Sequence, residues 1–130
     1  MSLVSSEVFS RFPTLKLIIS HGGGSVPYQV GRWRALMRFS ETGETFDDRL
    51  QHLYFDTALY SQEAIDLLLR VCRPERCLFG TERPGAGSAI DASGRSFDDV
   101  KPLIDAVDWL DSTQKEAVFE GNARAIFRLK

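Results

Sequence analysis

Three short apolar runs, each followed by polar or charged residues, divide the chain into alternating segments. Runs of this kind are typical of strands buried in a parallel sheet. Segments in which apolar residues recur at helical spacing lie between the runs and after the last one. The pattern predicts strands at 15–20, 53–57 and 77–81, the end of a helix within 4–12, helices at 26–39 and 61–71, and two more helices after residue 97.

Several predicted helix boundaries carry residues that favour a start or a stop. Pro13 stops the first helix, and Pro27 fits the first turn of the second. Ser61 is predicted to cap the helix that follows the second strand. Ser96 or Asp98 is predicted to cap the next one.

The sequence of residues 111–114, Asp-Ser-Thr-Gln, resembles a capping box and predicts where the last helix begins. The polar segment 40–51 is predicted to be a loop with room for a short helix, and the segment 83–97, rich in Gly, Ser and Ala, a long loop. Trp33 and Trp109 stand among apolar residues at helical spacing, so both are predicted to lie in the core.

Polar residues follow all three predicted strands. Strands that alternate with helices favour a parallel sheet, so His21, Asp56-Thr57 and Glu82 are expected at one edge, where proton transfer or metal binding becomes possible. We interpret Glu82 as functional because it lies between a buried strand and a glycine-rich loop, and Asp56-Thr57 as a strand-end turn. His52, which precedes the second strand, is interpreted as a surface residue or a support for the site.

His21 is followed by three glycines, which end the strand and free the backbone for positive φ or for close approach to a ligand. The same four residues occur in the oxyanion loop of lipases and esterases, but this chain has no Gly-x-Ser-x-Gly nucleophile motif. With 2 histidines and no Cys/His cluster, the chain cannot by itself supply a structural zinc site.

Length, charge and cysteine content exclude other classes of protein. A chain of 130 residues fits one domain, and a net charge of -2 gives no reason to expect nucleic acid or an anionic membrane as a partner. No apolar run approaches the roughly 18 residues of a membrane span. Cys72 and Cys77 do not form a Cys-x-x-Cys pair, so we predict buried free thiols in a reducing compartment, the cytoplasm.

Two longer motifs resemble a known family. Residues 12–32 read Phe-Pro-x-Leu-Lys-Leu-x-Ile-x-His-Gly-Gly-Gly-x-x-Pro-Tyr-x-x-Gly-Arg, and residues 78–84 read Leu-Phe-Gly-Thr-Glu-x-Pro. Both resemble the amidohydrolase-related family (amidohydrolase 2), which includes the aminocarboxymuconate semialdehyde decarboxylases. The segments at 85–89, 94–102, 108–110 and 121–124 resemble, more narrowly, the 4-oxalomesaconate hydratases of protocatechuate degradation.

The resemblance implies a (β/α)₈ barrel of the TIM type, which needs roughly 250 residues. The chain matches its last three strands, so we expect an α/β fold in which 1–130 is one partial-barrel domain, the carboxyl-terminal half of an amidohydrolase-related domain. Family enzymes hold a divalent metal, usually zinc, at the carboxyl ends of the strands. Their early His-x-His pair and mid-chain histidine have no counterpart here, so we expect no tight zinc binding by this chain alone.

The resemblance also implies roles for individual residues. His21 matches a catalytic histidine that donates or accepts a proton beside the metal. Glu82 matches a catalytic carboxylate that binds the metal or acts as a base, and Arg32 matches an arginine that grips a substrate carboxylate. The further substrate-binding residues that we expect are Gly22, Gly23 and Ser88.

The expected function is therefore that of a metal-dependent hydro-lyase for a small dicarboxylate or tricarboxylate, inactive as this chain alone. Glu82 and the Pro-Gly that follows Arg83 favour the hydratase. A decarboxylase is the alternative within the family, and a non-catalytic remnant or partner subunit is the alternative of another class. Because three strands of a barrel leave two strand edges and an apolar face uncovered, we also expect a homo-oligomer.

Overall fold

A computed structural model of the chain describes residues 7–38 and 43–130. Its centre is a three-stranded parallel sheet in the order β1-β2-β3. The strands are β1 (Leu17–Ile19), β2 (Leu53–Asp56) and β3 (Cys77–Leu78). Helices flank the sheet, so the α/β class and the three parallel strands are confirmed.

Helices connect the strands and follow the last one. None of those in the described ranges combines the length and the apolar character that crossing a bilayer requires. The α-helices are α1 (Val8–Arg11), α2 (Val30–Met37), α3 (Phe46–Leu50), α4 (Gln62–Cys72), α5 (Lys101–Asp105), α6 (Ser112–Glu116) and α7 (Asn122–Phe127). A π-helical turn, Ala117–Gly121, joins α6 to α7, and 3₁₀ turns lie at His21–Gly23, Pro74–Arg76 and Ala86–Ser88.

Two predicted helix caps are confirmed. The Ser61 hydroxyl accepts a hydrogen bond from the Ala64 backbone N–H (3.3 Å) at the start of α4. At the start of α6, the Asp111 carboxylate accepts from the Gln114 N–H (2.8 Å), and the Gln114 side chain accepts from the Asp111 N–H (3.2 Å). This reciprocal pair is the capping box that the sequence predicts.

The predicted start of the second helix is wrong. α2 begins at Val30, whereas Pro27 lies in a series of turns over 24–29. Gly24 has a left-handed backbone (φ 58°), which helical residues do not adopt, so the helix cannot begin before the chain has recovered from that turn. Phe39, the predicted end of this helix, lies outside the described residues.

The predicted cap of the first helix after residue 97 is also wrong. α5 begins at Lys101 with Val100 in the capping position, and neither Ser96 nor Asp98 caps it. The Ser96 hydroxyl instead donates to the Asp98 carboxylate (2.5 Å). Both side chains are therefore engaged within the preceding loop and are not available to the helix.

Both segments predicted to be loops contain some regular structure. Within 40–51, of which 40–42 lie outside the described residues, Thr45 and Asp48 form a capping box that starts α3. The segment 83–97 is a long loop, as predicted, with one 3₁₀ turn and an isolated antiparallel bridge between Ile90 and Ser96.

β3 ends three residues before the predicted end at Thr81, because its neighbours change after Leu78. The Phe79 N–H donates to the Val118 carbonyl (2.9 Å) in the π-helical turn. On the side of β2, the Gly80 N–H donates to the Thr57 hydroxyl (3.1 Å), so a side chain replaces the backbone of the neighbouring strand.

The outer edge of β3, the side away from β2, is covered. The Cys77 carbonyl accepts from the Asn122 side-chain amide (2.8 Å), and the Phe79 N–H is taken by Val118. β1, by contrast, has a strand neighbour on one side only in the described part of the chain. The expectation of two open edges is therefore wrong for β3.

The main core lies between one face of the sheet and the helices. Phe55 of β2 is 1% exposed, and Ile65 and Leu68 of α4 are fully buried in the same cluster. Trp33 and Trp109 are partly buried against this cluster, as predicted.

Cys72 and Cys77 are buried free thiols, as predicted. Burial raises the pKa of Cys72 to about 12 and is the main reason that the pKa of Cys77 is also well above its ordinary value. A protonated and shielded thiol is a poor nucleophile and a poor metal ligand, so neither cysteine belongs to the candidate site.

Candidate functional site

The loop after β1 places His21 on the end of β2. His21 itself has a left-handed backbone (φ 54°), and the glycines that follow continue it, with φ of 58° at Gly22 and 80° at Gly23. A Cβ atom on Gly23 would lie 2.7 Å from the ring of Phe55, so the loop lies directly against β2. Only glycine combines this backbone with such a close approach.

The carboxylate of Asp56 fixes this loop to the end of β2. Its Oδ1 accepts one hydrogen bond from the Gly22 N–H (3.1 Å) and another from the Ala58 N–H (3.1 Å). The second bond forms the strand-end turn that the sequence predicts. The first holds the backbone next to His21, so Asp56 supports the site in addition to shaping the turn.

Glu82 reaches the same place from the segment after β3. It too has a left-handed backbone (φ 59°), and its Oε2 lies 3.7 Å from Nδ1 of His21. The two side chains are 57% and 37% exposed, so both can be reached by a molecule in solution. Left-handed backbone at a non-glycine residue is uncommon and collects at functional sites. The structure thus brings His21 and Glu82 together, and their roles in catalysis stay predictions.

The sequence did not point to Tyr60, which also belongs to this cluster. Its hydroxyl donates a short hydrogen bond to the same Oε2 of Glu82. That bond is the main reason that the pKa of Tyr60 is raised, with burial and the charge of Glu82 adding to it. Tyr60 lies four residues after Asp56, in the connection that leaves the carboxyl end of β2, and this position was the available signal.

Ser88, a predicted substrate-binding residue, lies in a loop that the buried carboxylate of Asp98 organises. Asp98 is 2% exposed and accepts from the hydroxyls of Ser88 (3.3 Å) and Ser96 (2.5 Å). Arg83 makes a longer contact to the same carboxylate (3.4 Å). Ser88 therefore helps to hold the loop closed, and a role in substrate binding stays a prediction.

Two other candidates do not join the cluster. Arg32 lies exposed on α2, and its side chain makes no hydrogen bond or ion pair within residues 7–38 and 43–130. His52 is half-buried and stacks on the ring of Phe9 (centroids 4.6 Å apart) at the opposite end of β2, so it does not support the cluster.

The described residues do not by themselves fit a metal ion. Among them no group of three or more His, Cys, Asp or Glu side chains is arranged to hold one. Three protein ligands are usual for a catalytic zinc, whereas Glu82 and His21 offer two side chains.

Comparison with known proteins identifies the family. The amidohydrolase family model matches residues 1–129. The chain belongs to the amidohydrolase family. It is 42% identical over 128 residues to a 2-keto-4-carboxy-3-hexenedioate hydratase from Sphingobium sp. (strain NBRC 103272 / SYK-6), a match that covers 98% of this chain and 37% of that protein.

Solved structures of the amidohydrolase family show the same arrangement of elements. A 4-oxalomesaconate hydratase from Rhodopseudomonas palustris matches with a TM-score of 0.89 and 39% identity, over 97% of this chain and 39% of that one. A 5-carboxyvanillate decarboxylase from Novosphingobium aromaticivorans, solved with bound manganese, matches with a TM-score of 0.75 at 19% identity, over 98% of this chain and 37% of that one. The fold is therefore part of a TIM barrel, and the chain spans well under half the length of these relatives.

Proposed function

We propose that this chain supplies the His21–Glu82 part of the active site of a hydratase that acts on 4-oxalomesaconate or a closely similar carboxylate in the degradation of aromatic compounds. The observation that carries the proposal is the pair itself, with Nδ1 of His21 3.7 Å from Oε2 of Glu82 at the carboxyl end of the sheet. Similarity supports the hydratase, because two hydratases match at 42% and 39% identity, whereas decarboxylase relatives match at 19–31%.

The proposed reaction adds water across a conjugated carbon–carbon double bond. One O–H bond of water breaks, its oxygen bonds to one alkene carbon, and a proton is delivered to the other. A histidine can carry that proton near neutral pH. With Nδ1 facing Glu82, we assign proton exchange with substrate or water to Nε2 of His21.

Substrate carboxylates need a cation, and Arg32 is the proposed one. The guanidinium fork binds a carboxylate through two parallel hydrogen bonds, a geometry that lysine cannot reproduce. Arg32 is exposed and engages no acidic residue in the described ranges, so its side chain is available for such a contact.

We propose a divalent metal, zinc or manganese, for the complete enzyme, with Glu82 as a ligand or as the base beside it. Two side chains from the described residues do not complete a coordination sphere, so the remaining ligands have to come from elsewhere in the assembled barrel. For the 130-residue chain purified alone, we expect neither stoichiometric metal in elemental analysis nor hydratase activity.

A chimeric barrel tests the proposal directly. This chain replaces the matching segment of the Rhodopseudomonas palustris hydratase, and loss of ultraviolet absorbance by the conjugated double bond of 4-oxalomesaconate is followed. We expect turnover, reduced at least roughly a hundredfold by His21→Asn, the scale for loss of a general acid or base. His52→Asn is the matched control, because the second histidine lies at the other end of β2 and should leave turnover within about threefold.

Three outcomes would contradict the proposal. A folded, metal-loaded chimera without turnover would leave the non-catalytic alternative. Release of carbon dioxide in place of hydration would indicate the decarboxylase. Equal losses from the two histidine substitutions would remove His21 from the reaction.

We further propose that the protein resides in the cytoplasm and that the chain, purified alone, forms a homo-oligomer. Within residues 7–38 and 43–130, β1 has a strand neighbour on one side only, and Ile18 on that strand is 41% exposed. Exposed apolar strand edges pair with other chains. Light scattering at micromolar concentration should therefore give a dimer or larger, and a monomer would contradict this proposal.

A further inference from the structure

We propose that Tyr60 is a positioning residue that holds the carboxylate of Glu82 beside His21. The importance of that carboxylate rests on the proposed function, whereas the positioning itself can be measured without any reaction. The proposal concerns the hydrogen bond from the Tyr60 hydroxyl to Oε2 of Glu82 and the space beside Gly87 into which the ring fits.

Tyr60 bonds to the carboxylate oxygen of Glu82 that faces His21. Oε2 of Glu82 accepts from the phenol and is also the oxygen 3.7 Å from Nδ1 of His21. That separation is too long for a hydrogen bond, so the imidazole alone does not fix the carboxylate. Within the described ranges, Tyr60 donates the one hydrogen bond that the Glu82 side chain receives.

Glu82 needs such a restraint because little else holds it. Its side chain is 37% exposed and has several rotatable bonds, which an exposed glutamate normally samples. A tyrosine is suited to restrain it, since the phenol ring is rigid and has few rotatable bonds of its own.

The loop that contains Gly87 leaves space for the Tyr60 ring. A Cβ atom on Gly87 would lie 2.6 Å from Cζ of Tyr60 and 2.8 Å from its hydroxyl oxygen, so any larger residue would displace the ring. The Gly87 carbonyl is fixed in turn by the Asp98 N–H (2.7 Å). The loop after Glu82 thus returns to support the tyrosine that holds Glu82.

Rotamer averaging of Glu82 in the 130-residue chain tests the positioning. The readout is the pair of three-bond couplings between the Hα and the two Hβ protons of Glu82 in the nuclear magnetic resonance spectrum. We expect unequal couplings in the unsubstituted chain, because one rotamer dominates, and averaged couplings in Tyr60→Phe. Tyr54→Phe is the matched control, since it removes another phenol hydroxyl, bonded to Arg76 (3.0 Å), and should leave Glu82 unchanged.

Gly87→Ala provides a second, independent variant. It keeps the phenol and displaces its ring, so we expect the same averaging of the Glu82 couplings as in Tyr60→Phe. If Tyr60→Phe does not fold, Gly87→Ala decides the question. Unequal couplings retained in a folded Tyr60→Phe or Gly87→Ala chain, or averaging in Tyr54→Phe, would overturn the proposal.

Turnover in the chimeric barrel separates this proposal from the proposed function. There Tyr60→Phe should lower kcat about tenfold and leave KM within about twofold, because a misplaced group slows the reaction more than it weakens binding. A chimera with no turnover at all would contradict the hydratase and leave the couplings to decide on Tyr60. Unchanged kcat with averaged couplings would overturn the catalytic consequence of the positioning.

Discussion

Replacing Gly23 by alanine should destabilise the chain more than the same change at Gly94. Both glycines have a positive φ, 80° at Gly23 and 83° at Gly94. A Cβ on Gly23 would lie 2.7 Å from the ring of Phe55, whereas a Cβ on Gly94 meets nothing within 4 Å. The pair of variants therefore separates the cost of the backbone from the cost of the contact with β2.

The magnitudes follow from these two contributions. A left-handed alanine costs roughly 1–2 kcal/mol, and Gly94→Ala should lose about that much. Gly23→Ala adds a clash with a side chain that is 1% exposed and cannot move aside freely. Overpacking of this kind costs about 1–3 kcal/mol more. The restriction that alanine imposes on the unfolded chain is the same at both positions, so it cancels in the comparison.

Urea unfolding followed by circular dichroism measures the difference. With a slope of about 2 kcal/mol per molar, an extra 2 kcal/mol lowers the midpoint by roughly 1 M relative to Gly94→Ala. Equal midpoints for the two variants would refute the reasoning, because they would mean that the loop does not press on Phe55. A larger loss in Gly94→Ala would refute it as well.

Three further predictions concern the framework and the substrate. Asn122→Ala should lower the free energy of unfolding, measured by urea unfolding, by roughly 2–4 kcal/mol, since the Pro74 and Cys77 carbonyls each lose a 2.8 Å hydrogen bond. Asn122→Asp has no donor at this position and should lose a similar amount. The pKa of Asp66 is lowered by its hydrogen bonds from Arg70 and then Trp109, so the stability it provides is present above pH 4 and is lost as the pH falls through the folded pKa. Thermal unfolding should therefore show that Asp66→Asn is less stable than the unsubstituted chain by a larger margin at pH 7 than at pH 3, and a gap of equal size at both values would contradict this. In the chimeric barrel, Arg32→Lys should raise KM and leave the melting temperature unchanged, and the reverse result would make Arg32 structural.

The sequence is most informative where local patterns determine the structure. The strand centres follow from apolar runs, and the caps at Ser61 and Asp111 follow from bonds between residues three apart. Parallel strands place His21 and Glu82 at the same edge of the sheet, because both residues come after the carboxyl end of a strand. Their 3.7 Å approach also requires the left-handed turns that bring both side chains over the end of β2, and the sequence does not predict those turns.

The sequence is least informative where a distant partner takes over a local group. Asp98 is a good helix cap by composition, but Ser88, Ser96 and Arg83 engage its carboxylate in the loop before α5. The contact between Tyr60 and Glu82 depends in the same way on the path of the loop at Gly87. No spacing of residues along the chain reports such a contact.

The covered outer edge of β3 limits how copies of this chain can join through their sheets. A fibre needs two different free edges on each copy, so that one copy adds to the next in the same direction without end. On the outer side of β3, Asn122 engages the Cys77 carbonyl and Val118 the Phe79 N–H, so in the described part of the chain β1 is the more accessible edge for strand pairing. Two copies that met β1 to β1 about a twofold axis would use both of these edges, and the obstructed outer edges of β3 would disfavour growth of the sheet beyond the dimer.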